Sequence, residues 1–521
     1  MKLRTILAIF ASLPGLLASG QYQNRLVGNS YYPNEPAIAI NPGNPDIIVA
    51  GSNTNIYYYS DDGGWTWEEG YLSSPYGVWG DPCIIVDTAG AFYYFHLSFP
   101  PGGNWIDRIV CQKSTDNGAT WSDGTYMGLN GAKAQDKEWA VVDSATNNIY
   151  VTWTQFDDYG SPDPADSSLI MFSRSTDSGD SWSPAVRISK EGGDCIDSDN
   201  TVEGAVPAVG PEGQIYVSWA GPDGLIFTKS EDQGLTWPAE NLFVTAIPDG
   251  WDYSIPGISR ANGLPVTCCD IGNSPFRGSI YINWSDQRNG PADTDIFFIK
   301  STDGGSTWST PLRVNDDGPG NQQFFTWMTI DQANGDIYIV FYDRREHTDN
   351  YTDVYMAVSH DGGETFENMR INTNSFLPDS KNFFGDYTNI TAFNGRVRPI
   401  WLNMDSLTGG QYLYTAIIDS AYTAIDPGLK EPAGISMDQN FPNPASKITT
   451  FSYKIRVPAA VTLRVYDISG KVVATPVDGR FHQPGKYMER FDVRAAGLAP
   501  GFYYFSLVSA DQTLKRKMIV K

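Results

Sequence analysis

A short motif occurs six times in this chain and limits its fold more than any other feature. The motif reads Ser-x-Asp-x-Gly-x-Thr/Ser-Trp/Phe, and successive copies begin 54, 61, 55, 71 and 58 residues apart. The aspartate can accept backbone N–H groups of its own turn, and the glycine two residues later supplies a positive φ. Each copy is therefore interpreted as a hairpin turn that uses its own polar groups. The copies begin at Ser60, Ser114, Ser175, Ser230, Ser301 and Ser359.

Each motif belongs to a longer unit of four predicted strands, A to D, with the motif between C and D. Strand B reads Ile-Tyr-Val-x-Trp or a variant, as at 149–153 and 215–219. Repeats of this length are typical of a β-propeller, in which each repeat forms one four-stranded blade. The sequence therefore predicts an all-β protein built on a propeller over residues 21–418.

There is one more unit than there are motifs. Residues 385–390, 397–401 and 412–418 supply strands A, B and C without a motif, and residues 24–30 resemble the D strand at 368–375. An N-terminal strand that completes the last blade would close the ring and remove its exposed edges. We therefore expect seven blades, with six as the alternative.

The two ends of the chain differ from this pattern. Lys2 and Arg4 precede an apolar run at 6–17 and the small residues 18–20, which predicts a secretory signal peptide over residues 1–20. No later segment reaches about 18 uninterrupted apolar residues, so no transmembrane segment is predicted. Residues 419–433 contain two prolines and are predicted as a linker.

Residues 434–521 are predicted to form a small β-sandwich. Apolar and polar residues alternate at 461–466, as expected for a half-buried strand. This segment resembles the type A sorting domain of the bacterial type IX secretion system, through the motif at 439–444, the strand at 461–471 and the basic end at 515–521. The resemblance implies export across a Gram-negative outer membrane, contact with the secretion machinery and a secreted or cell-surface location.

Residues 22–420, with their six motifs, resemble the Asp-box (BNR-repeat) propellers of the sialidase (neuraminidase) superfamily. True sialidases have six blades and carry a Phe/Tyr-Arg-Ile-Pro segment at the first inner strand. Here residues 34–40 read Asn-Glu-Pro-Ala-Ile-Ala-Ile, without that arginine. Both departures argue against sialic acid as the substrate.

Charge is distributed unevenly along the chain. Residues 430–521 carry 14 basic and 7 acidic residues, which leaves 22 basic and 53 acidic residues, a net −31, for the rest of a chain of net charge −24. An acidic body argues against a nucleic acid or an anionic membrane as partner. The cysteines match no zinc spacing, and one or two disulfides with at least one thiol left over are possible. They are Cys83, Cys111, Cys195, Cys268 and Cys269.

The antiparallel blades predict where functional residues lie. The starts of A strands, the ends of B strands and the starts of C strands share one face, the strand-start face, while every motif lies on the opposite motif face. The A starts also come closest to the axial funnel. Glu35 lies at the first A start. The candidate catalytic residues are Asp81, Glu138, Glu203, Asp252, Asp386 and Tyr387. The candidate substrate-binding residues are Arg288, Arg344, Arg345, Tyr253 and His96.

These residue types suit acid–base chemistry on a glycan. Crowded carboxyls raise one another's pKa and can supply an acid and a base at neutral pH, as a glycosidase needs. The arginines can grip a substrate carboxylate, or instead tie their loops to Asp286 and Asp343. The sequence thus predicts a secreted, glycoside hydrolase-like enzyme acting on extracellular glycans. The alternative is a non-catalytic glycan- or protein-binding surface propeller, and a ring of carboxylates could also hold Ca²⁺.

Overall fold

The computed structural model describes residues 22–405, 408–419, 435–437, 440, 442–455, 458–467, 471–509 and 512–521. The chain divides into two compact units, Met1–Ala421 and Tyr422–Lys521. No helix occurs in these described ranges. The predicted signal peptide, and the predicted linker beyond Asp419, lie outside the described residues.

The described part of the first unit contains seven four-stranded antiparallel sheets and one short hairpin. Its strands, in chain order, are β1 (Gln23–Gly28); β2 (Ala37–Ile40), β3 (Ile48–Ser52), β4 (Ile56–Ser60), β5 (Glu68–Tyr71); β6 (Gly80–Val86), β7 (Phe92–Leu97), β8 (Ile109–Ser114), β9 (Thr125–Met127); β10 (Ala134–Val142), β11 (Ile149–Phe156), β12 (Ser168–Ser175), β13 (Val186–Arg187); β14 (Glu203–Val209), β15 (Ile215–Gly221), β16 (Gly224–Ser230), β17 (Leu242–Thr245); β18 (Asp252–Tyr253), β19 (Ala261–Asn262); β20 (Val266–Cys269), β21 (Ile280–Asp286), β22 (Asp295–Ser301), β23 (Leu312–Arg313); β24 (Gln323–Asp331), β25 (Asp336–Asp343), β26 (Asp353–Ser359), β27 (Glu367–Arg370); β28 (Asn389–Phe393), β29 (Arg396–Asp405) and β30 (Gly410–Asp419).

The sheets close into a ring. The inner strands β2, β6, β10, β14, β20, β24 and β28 contact one another in chain order, and β28 contacts β2 in turn. Strand β1 pairs antiparallel with β30, so the N-terminal strand completes the sheet formed by β28, β29 and β30. This pairing covers the edge of β30 and joins the two ends of the ring, which is the arrangement of a propeller.

Each motif forms the predicted turn and also packs on the preceding sheet. In the first copy, Ser60 Oγ accepts the Gly64 N–H at 2.9 Å and Asp62 Oδ1 accepts the Thr66 N–H at 2.9 Å. The aromatic residue that ends each later copy meets an aromatic ring of the sheet before it, for example Trp237 and Phe172 with ring centroids 5.0 Å apart. The motifs therefore hold neighbouring sheets together.

The second unit forms the predicted sandwich. Its strands are β31 (Ile435–Met437), β32 (Ile448–Ile455), β33 (Ala459–Tyr466), β34 (Val472–His482), β35 (Gly485–Asp492), β36 (Gly501–Ser509) and β37 (Gln512–Val520). They form one sheet of order β31-β32-β35 and another of order β34-β33-β36-β37. Phe451 of the first sheet and Phe505 of the second share one core, with ring centroids 4.6 Å apart.

Candidate functional site on the strand-start face

Inner strands begin with an unusual backbone conformation that aims side chains at the axis. Glu35, Asp81, Lys137 and Phe325 have φ between 50° and 53°, a left-handed region that costs non-glycine residues energy. The strand pairing shifts register at the start of β6, β10, β14 and β24, as at β-bulges. Bulges re-aim side chains next to functional sites, and here they recur around the ring.

Lys137 links two of the predicted carboxyls. Its ammonium donates to Asp81 Oδ2 at 3.1 Å and to Asp386 Oδ2 at 2.7 Å. Burial lowers the pKa of Lys137, but the charges of Asp386, Asp81, Glu35 and Asp136 outweigh burial and raise it well above its usual value. The lysine is therefore charged and neutralises part of the acidic cluster.

Arg260, in the loop between β18 and β19, is the second cation of the site. Its Nε donates to Asp386 Oδ1 at 2.9 Å, its Nη2 pairs with Asp386 Oδ2, and its Nη1 lies 3.6 Å from Asp197 Oδ2. Burial alone would raise the pKa of Asp386, but Lys137 and Arg260 lower it to about 2. Asp386 is thus ionised, and its bidentate partner covers it, with the Arg260 side chain 45% exposed.

Glu138 and Glu203 have the opposite protonation. Both are 1% exposed, and neither carboxyl receives a hydrogen bond from a donor in the described part of the chain. The pKa of Glu138 is raised well above its usual value, mainly by burial and to a smaller extent by the charge of Asp81. The pKa of Glu203 is raised in the same way, mainly by burial and then by the charges of Asp197 and Asp136. Burial and the neighbouring carboxylates therefore favour the protonated form of both side chains.

Glu35 completes the cluster on the side of β2. The Asn53 amide donates to Glu35 Oε2, and Asn53 Oδ1 accepts the Asp81 N–H at 2.8 Å. Burial, then Asp81, raises the pKa of Glu35. The Tyr387 hydroxyl is buried and has no hydrogen-bond partner among the described residues. Its pKa is raised mainly by burial and to a smaller extent by the charges of Asp81 and Glu35. The structure therefore gathers Asp81, Glu138, Asp386 and Tyr387 around Lys137 and Glu35.

Asp252 and Tyr253 do not begin an inner strand as the sequence suggested. They form β18 of the short hairpin, while the inner strand of that sheet is β20. The reason is an insertion of about a dozen residues before β20, which the apolar pattern did not separate from a strand start. Asp252 still lies at the site, because it lines a small cavity with Glu203 and Asp386. The Tyr253 hydroxyl bonds Ser285 Oγ at 2.6 Å and is buried.

The three predicted arginines bind protein groups of their own or of a neighbouring loop. Arg288 pairs with Asp286, and Arg345 pairs with Asp343 and Asp316. Arg344 is buried and donates to Pro256 O at 2.7 Å. Arg288 thus forms the loop tie that the sequence left open as the alternative to a substrate grip, whereas Asp343 is tied by Arg345 and not by Arg344.

His96 lies inside its sheet and away from solvent. Its ring nitrogens lie 2.7 Å from Leu97 O and 3.1 Å from Gln112 Oε1. Burial lowers its pKa to about 4, so the imidazole is neutral at physiological pH.

The cavities beside the Lys137–Asp386 pair are far smaller than the open funnel that the sequence predicts. Two cavities of about 20 Å³ each lie beside the Lys137–Asp386 pair, room for about one water apiece. A cavity of about 630 Å³ is lined by later residues of the inner strands and opens towards the motif face. Ion pairing of Lys137 and Arg260 with the carboxyls occupies the space between these two small cavities and leaves the larger one separate.

The described residues offer no set of three or more His, Cys, Asp or Glu side chains arranged to hold a metal ion. Two of the carboxylates that could also have held Ca²⁺, Asp81 and Asp386, bind the Lys137 ammonium. All five cysteines are free thiols, so neither of the disulfides that the sequence allowed is formed.

Sequence reasoning missed four contributors to this site. Lys137 and Asp136 stand beside Glu138 in the sequence, and the alternation of charge there was the only local signal. Burial raises the pKa of Asp136 to about 7. Arg260 and Asp197 lie in long loops before inner strands, where no pattern marks them. Only their contacts across the ring identify them.

The closed ring of sheets defines the class of this protein as a β-propeller. Residues 439–521 match the family of secretion system C-terminal sorting domains, which confirms the interpretation of the C-terminal unit. This domain indicates a secreted or cell-surface protein that engages the secretion machinery. No curated protein sequence matches the chain.

Solved structures similar to this chain include two sialidases and a lyase. The Hadza microbial sialidase Hz136 is 15% identical, with a TM-score of 0.41, over 72% of this chain and 74% of its own. The NanB sialidase of Streptococcus pneumoniae is 10% identical, with a TM-score of 0.43, over 71% and 83%. The PL25 ulvan lyase, a polysaccharide lyase, is 13% identical, with a TM-score of 0.45, over 76% and 96%.

Within the described residues, no helix has the length and apolar character needed to span a bilayer.

Proposed function

We propose that this protein is a secreted, glycoside hydrolase-like enzyme that acts on an extracellular glycan at the strand-start face. The supporting observation is the presence of opposite protonation states in one contact network. The surroundings raise the pKa of Glu203 and lower that of Asp386 to about 2, and both side chains line the same small cavity. Carboxyls whose environments push their pKa values apart are the usual acid and base of glycan cleavage.

Residues at the surface of this network would contact the substrate. The Asp81 side chain is 13% exposed and that of Asp197 is 18% exposed. The Asp197 carboxyl lies beside Glu203 and accepts a hydrogen bond from Tyr159. A proton held by Glu203 can thus pass to Asp197 and on to a glycosidic oxygen, while Lys137 and Arg260 position the ionised carboxylates.

A second candidate function is glycan binding without catalysis. The observation in its favour is that the cavities beside Glu203 and Asp386 are too small for a sugar ring. Catalysis by these two residues needs the β18–β19 hairpin, which carries Arg260, to move away from Asp386. A binding module needs no such movement.

Turnover by the full-length protein separates the two functions. Neutral and acidic polysaccharides are tested for release of reducing ends and of unsaturated uronates, with wild type, Glu203→Gln and Asp386→Asn. We expect each variant to lose at least about 100-fold in rate, since acid–base groups contribute about that factor. The matched control is Glu212→Gln, an exposed carboxyl on the motif face that should retain full rate.

Two results contradict the enzymatic proposal. Wild type that binds a polysaccharide but cleaves none supports the binding module. Wild-type rates in folded Glu203→Gln and Asp386→Asn would place the chemistry elsewhere. Circular dichroism of each variant confirms that a lost rate is not a lost fold.

A further inference from the structure

The strand-start face carries a cluster of exposed aromatic rings beside the carboxyl network. Trp79 is 44% exposed, Phe99 is 45% exposed and Trp105 is 39% exposed. The Trp79 ring meets Phe99 edge to face at 5.2 Å and Trp105 at 6.3 Å. Large aromatic groups exposed together on a soluble protein mark a binding surface, because each leaves an apolar face in water.

We propose that Trp79, Phe99 and Trp105 form a stacking platform for the pyranose rings of a neutral polysaccharide chain. The inference rests on the proposed function for the chemistry next to the platform, and it names the substrate class of that same site. The apolar C–H face of a pyranose covers an aromatic ring, while its hydroxyls need donors and acceptors at the edges. Among the described residues, neither the Trp79 nor the Trp105 indole N–H has an acceptor, so both are available to hydroxyls.

The platform is continuous with the candidate catalytic groups. Trp79 lies two residues before Asp81 at the start of β6. Trp105 packs on Tyr159 with ring centroids 5.3 Å apart, and the Tyr159 hydroxyl donates to Asp197. A chain lying over the two indoles therefore approaches both Asp81 and Asp197, the two partly exposed carboxyls of the network.

The two faces of the propeller differ in exposed aromatic rings. On the strand-start face, loops expose Tyr31, Tyr32, Trp79, Phe99, Trp105, Tyr351 and Phe383. Described loops of the motif face keep their aromatic rings, such as Trp65 and Trp308, only partly exposed, and Leu235 is their exposed large apolar residue. Sheet packing does not require this difference between the faces, because the same strands have one end at each face. A ligand on one face explains it.

Charge selects a neutral ligand. Two of the arginines predicted to grip a substrate carboxylate, Arg288 and Arg345, are paired with Asp286, Asp343 and Asp316. The third, Arg344, is buried and donates to Pro256 O and Thr352 Oγ1. The remaining cations of the site, Lys137 and Arg260, are held by Asp81, Asp386 and Asp197. Residues 1–429 carry a net −31, so a polyanion is repelled, and so is a second copy of this face.

Affinity electrophoresis of the full-length protein tests the platform. Gels contain either a neutral polysaccharide (xyloglucan, galactomannan or laminarin) or a polyanion (alginate or polygalacturonate). The variants are Trp79→Ala, Trp105→Ala and the double variant, with Phe243→Ala as a control because that ring is 53% exposed on the outer strand β17. We expect retardation by at least one neutral polysaccharide, unchanged by added salt, and binding weaker by at least about tenfold in the double variant.

Several results overturn the platform. Wild-type retardation of the double variant shows that the rings do not bind the glycan. Retardation by polyanions alone, abolished by salt, shows a charged ligand. Self-association of wild type that disappears in the double variant, with no retardation in any gel, shows a second copy as the occupant. Retardation in the gel does not depend on turnover. If the protein cleaves no polysaccharide but its binding depends on Trp79 and Trp105, only the catalytic proposal is disproved.

Discussion

The two faces of the propeller use aspartate in opposite ways. On the motif face, the aspartate of each copy accepts the same hydrogen bonds from the first serine of its own turn and from the threonine four residues after the aspartate, which is Ser181 in the third copy. The threonine bonds and the serine bond lower the pKa of Asp232 to about 2. The aspartates of the other copies are lowered as well, which makes the arrangement repetitive and independent of the rest of the ring.

On the strand-start face, no two carboxyls have the same surroundings. Asp386 is ionised between two cations, Glu138 is neutral without a donor, and burial raises the pKa of Asp136 to about 7. Identical partners at every repeat are the requirement of a scaffold. Different partners at equivalent strand starts are unnecessary for the fold and therefore point to function.

The largest effect on stability is expected from replacing Lys137, the cation at the centre of the strand-start face. Lys137→Met leaves Asp81 without its ammonium partner and Asp386 with Arg260 alone. Removing one partner of a buried ion pair costs about 3–5 kcal/mol, since the remaining charge stays buried. Urea denaturation should show this loss. The control Lys229→Met, in an exposed pair with Glu231, should change stability by less than about 1 kcal/mol. Equal stabilities of the two variants would show that the lysine network is not buried as described.

The next largest effect is expected on the pH dependence of stability, through the buried carboxyl of Glu138. The pKa of Glu138 in the folded chain lies well above the ordinary 4.5, so in the window above pH 4.5 the unfolded chain releases a proton that the folded chain keeps. The contribution of Glu138 to the free energy of unfolding is therefore fully present below pH 4.5. Above that pH it falls by about 1.4 kcal/mol per pH unit until the folded chain releases the proton as well. The side chain in Glu138→Gln cannot ionise, so the free energy of unfolding of this variant should fall less steeply with pH than that of wild type.

Urea midpoints measured from pH 4 to pH 8 give the slope directly. Wild type and Glu138→Gln should diverge as pH rises, whereas Glu212→Gln should run parallel to wild type. Parallel curves for Glu138→Gln would mean that Glu138 is ionised in the folded protein.

The smallest effect is expected on the motif face. Asp62→Ala removes the acceptor of the Trp65 and Thr66 N–H groups, each at 2.9 Å, and should cost about 1 kcal/mol without changing glycan binding. The neighbouring exposed Asp61→Ala should cost less than about 0.5 kcal/mol. Thermal unfolding and affinity electrophoresis measure the two properties. A loss of binding in Asp62→Ala would end the division between a scaffold face and a ligand face.

Much of the fold could be predicted because its signals are local. The serine, aspartate and glycine of each motif bond within one turn, so six copies define six hairpins wherever they lie. The N-terminal strand was recognisable because residues 24–30 resemble another D strand. The inner strand of the sheet of β20 was misplaced, because the Asp252–Asn262 hairpin has the apolar and aromatic residues of a strand start.

The sequence by itself determined the repeat, the turn chemistry, the sorting domain and the strand starts that face the axis, since each depends on residues close together in the chain. Only the tertiary structure decided the protonation of those strand starts. Lys137 and Asp386 are 249 positions apart, and Arg260 reaches Asp386 from a loop 126 positions away. Charges that meet across a ring set one another's pKa through distance and burial, and no spacing in the sequence contains either quantity.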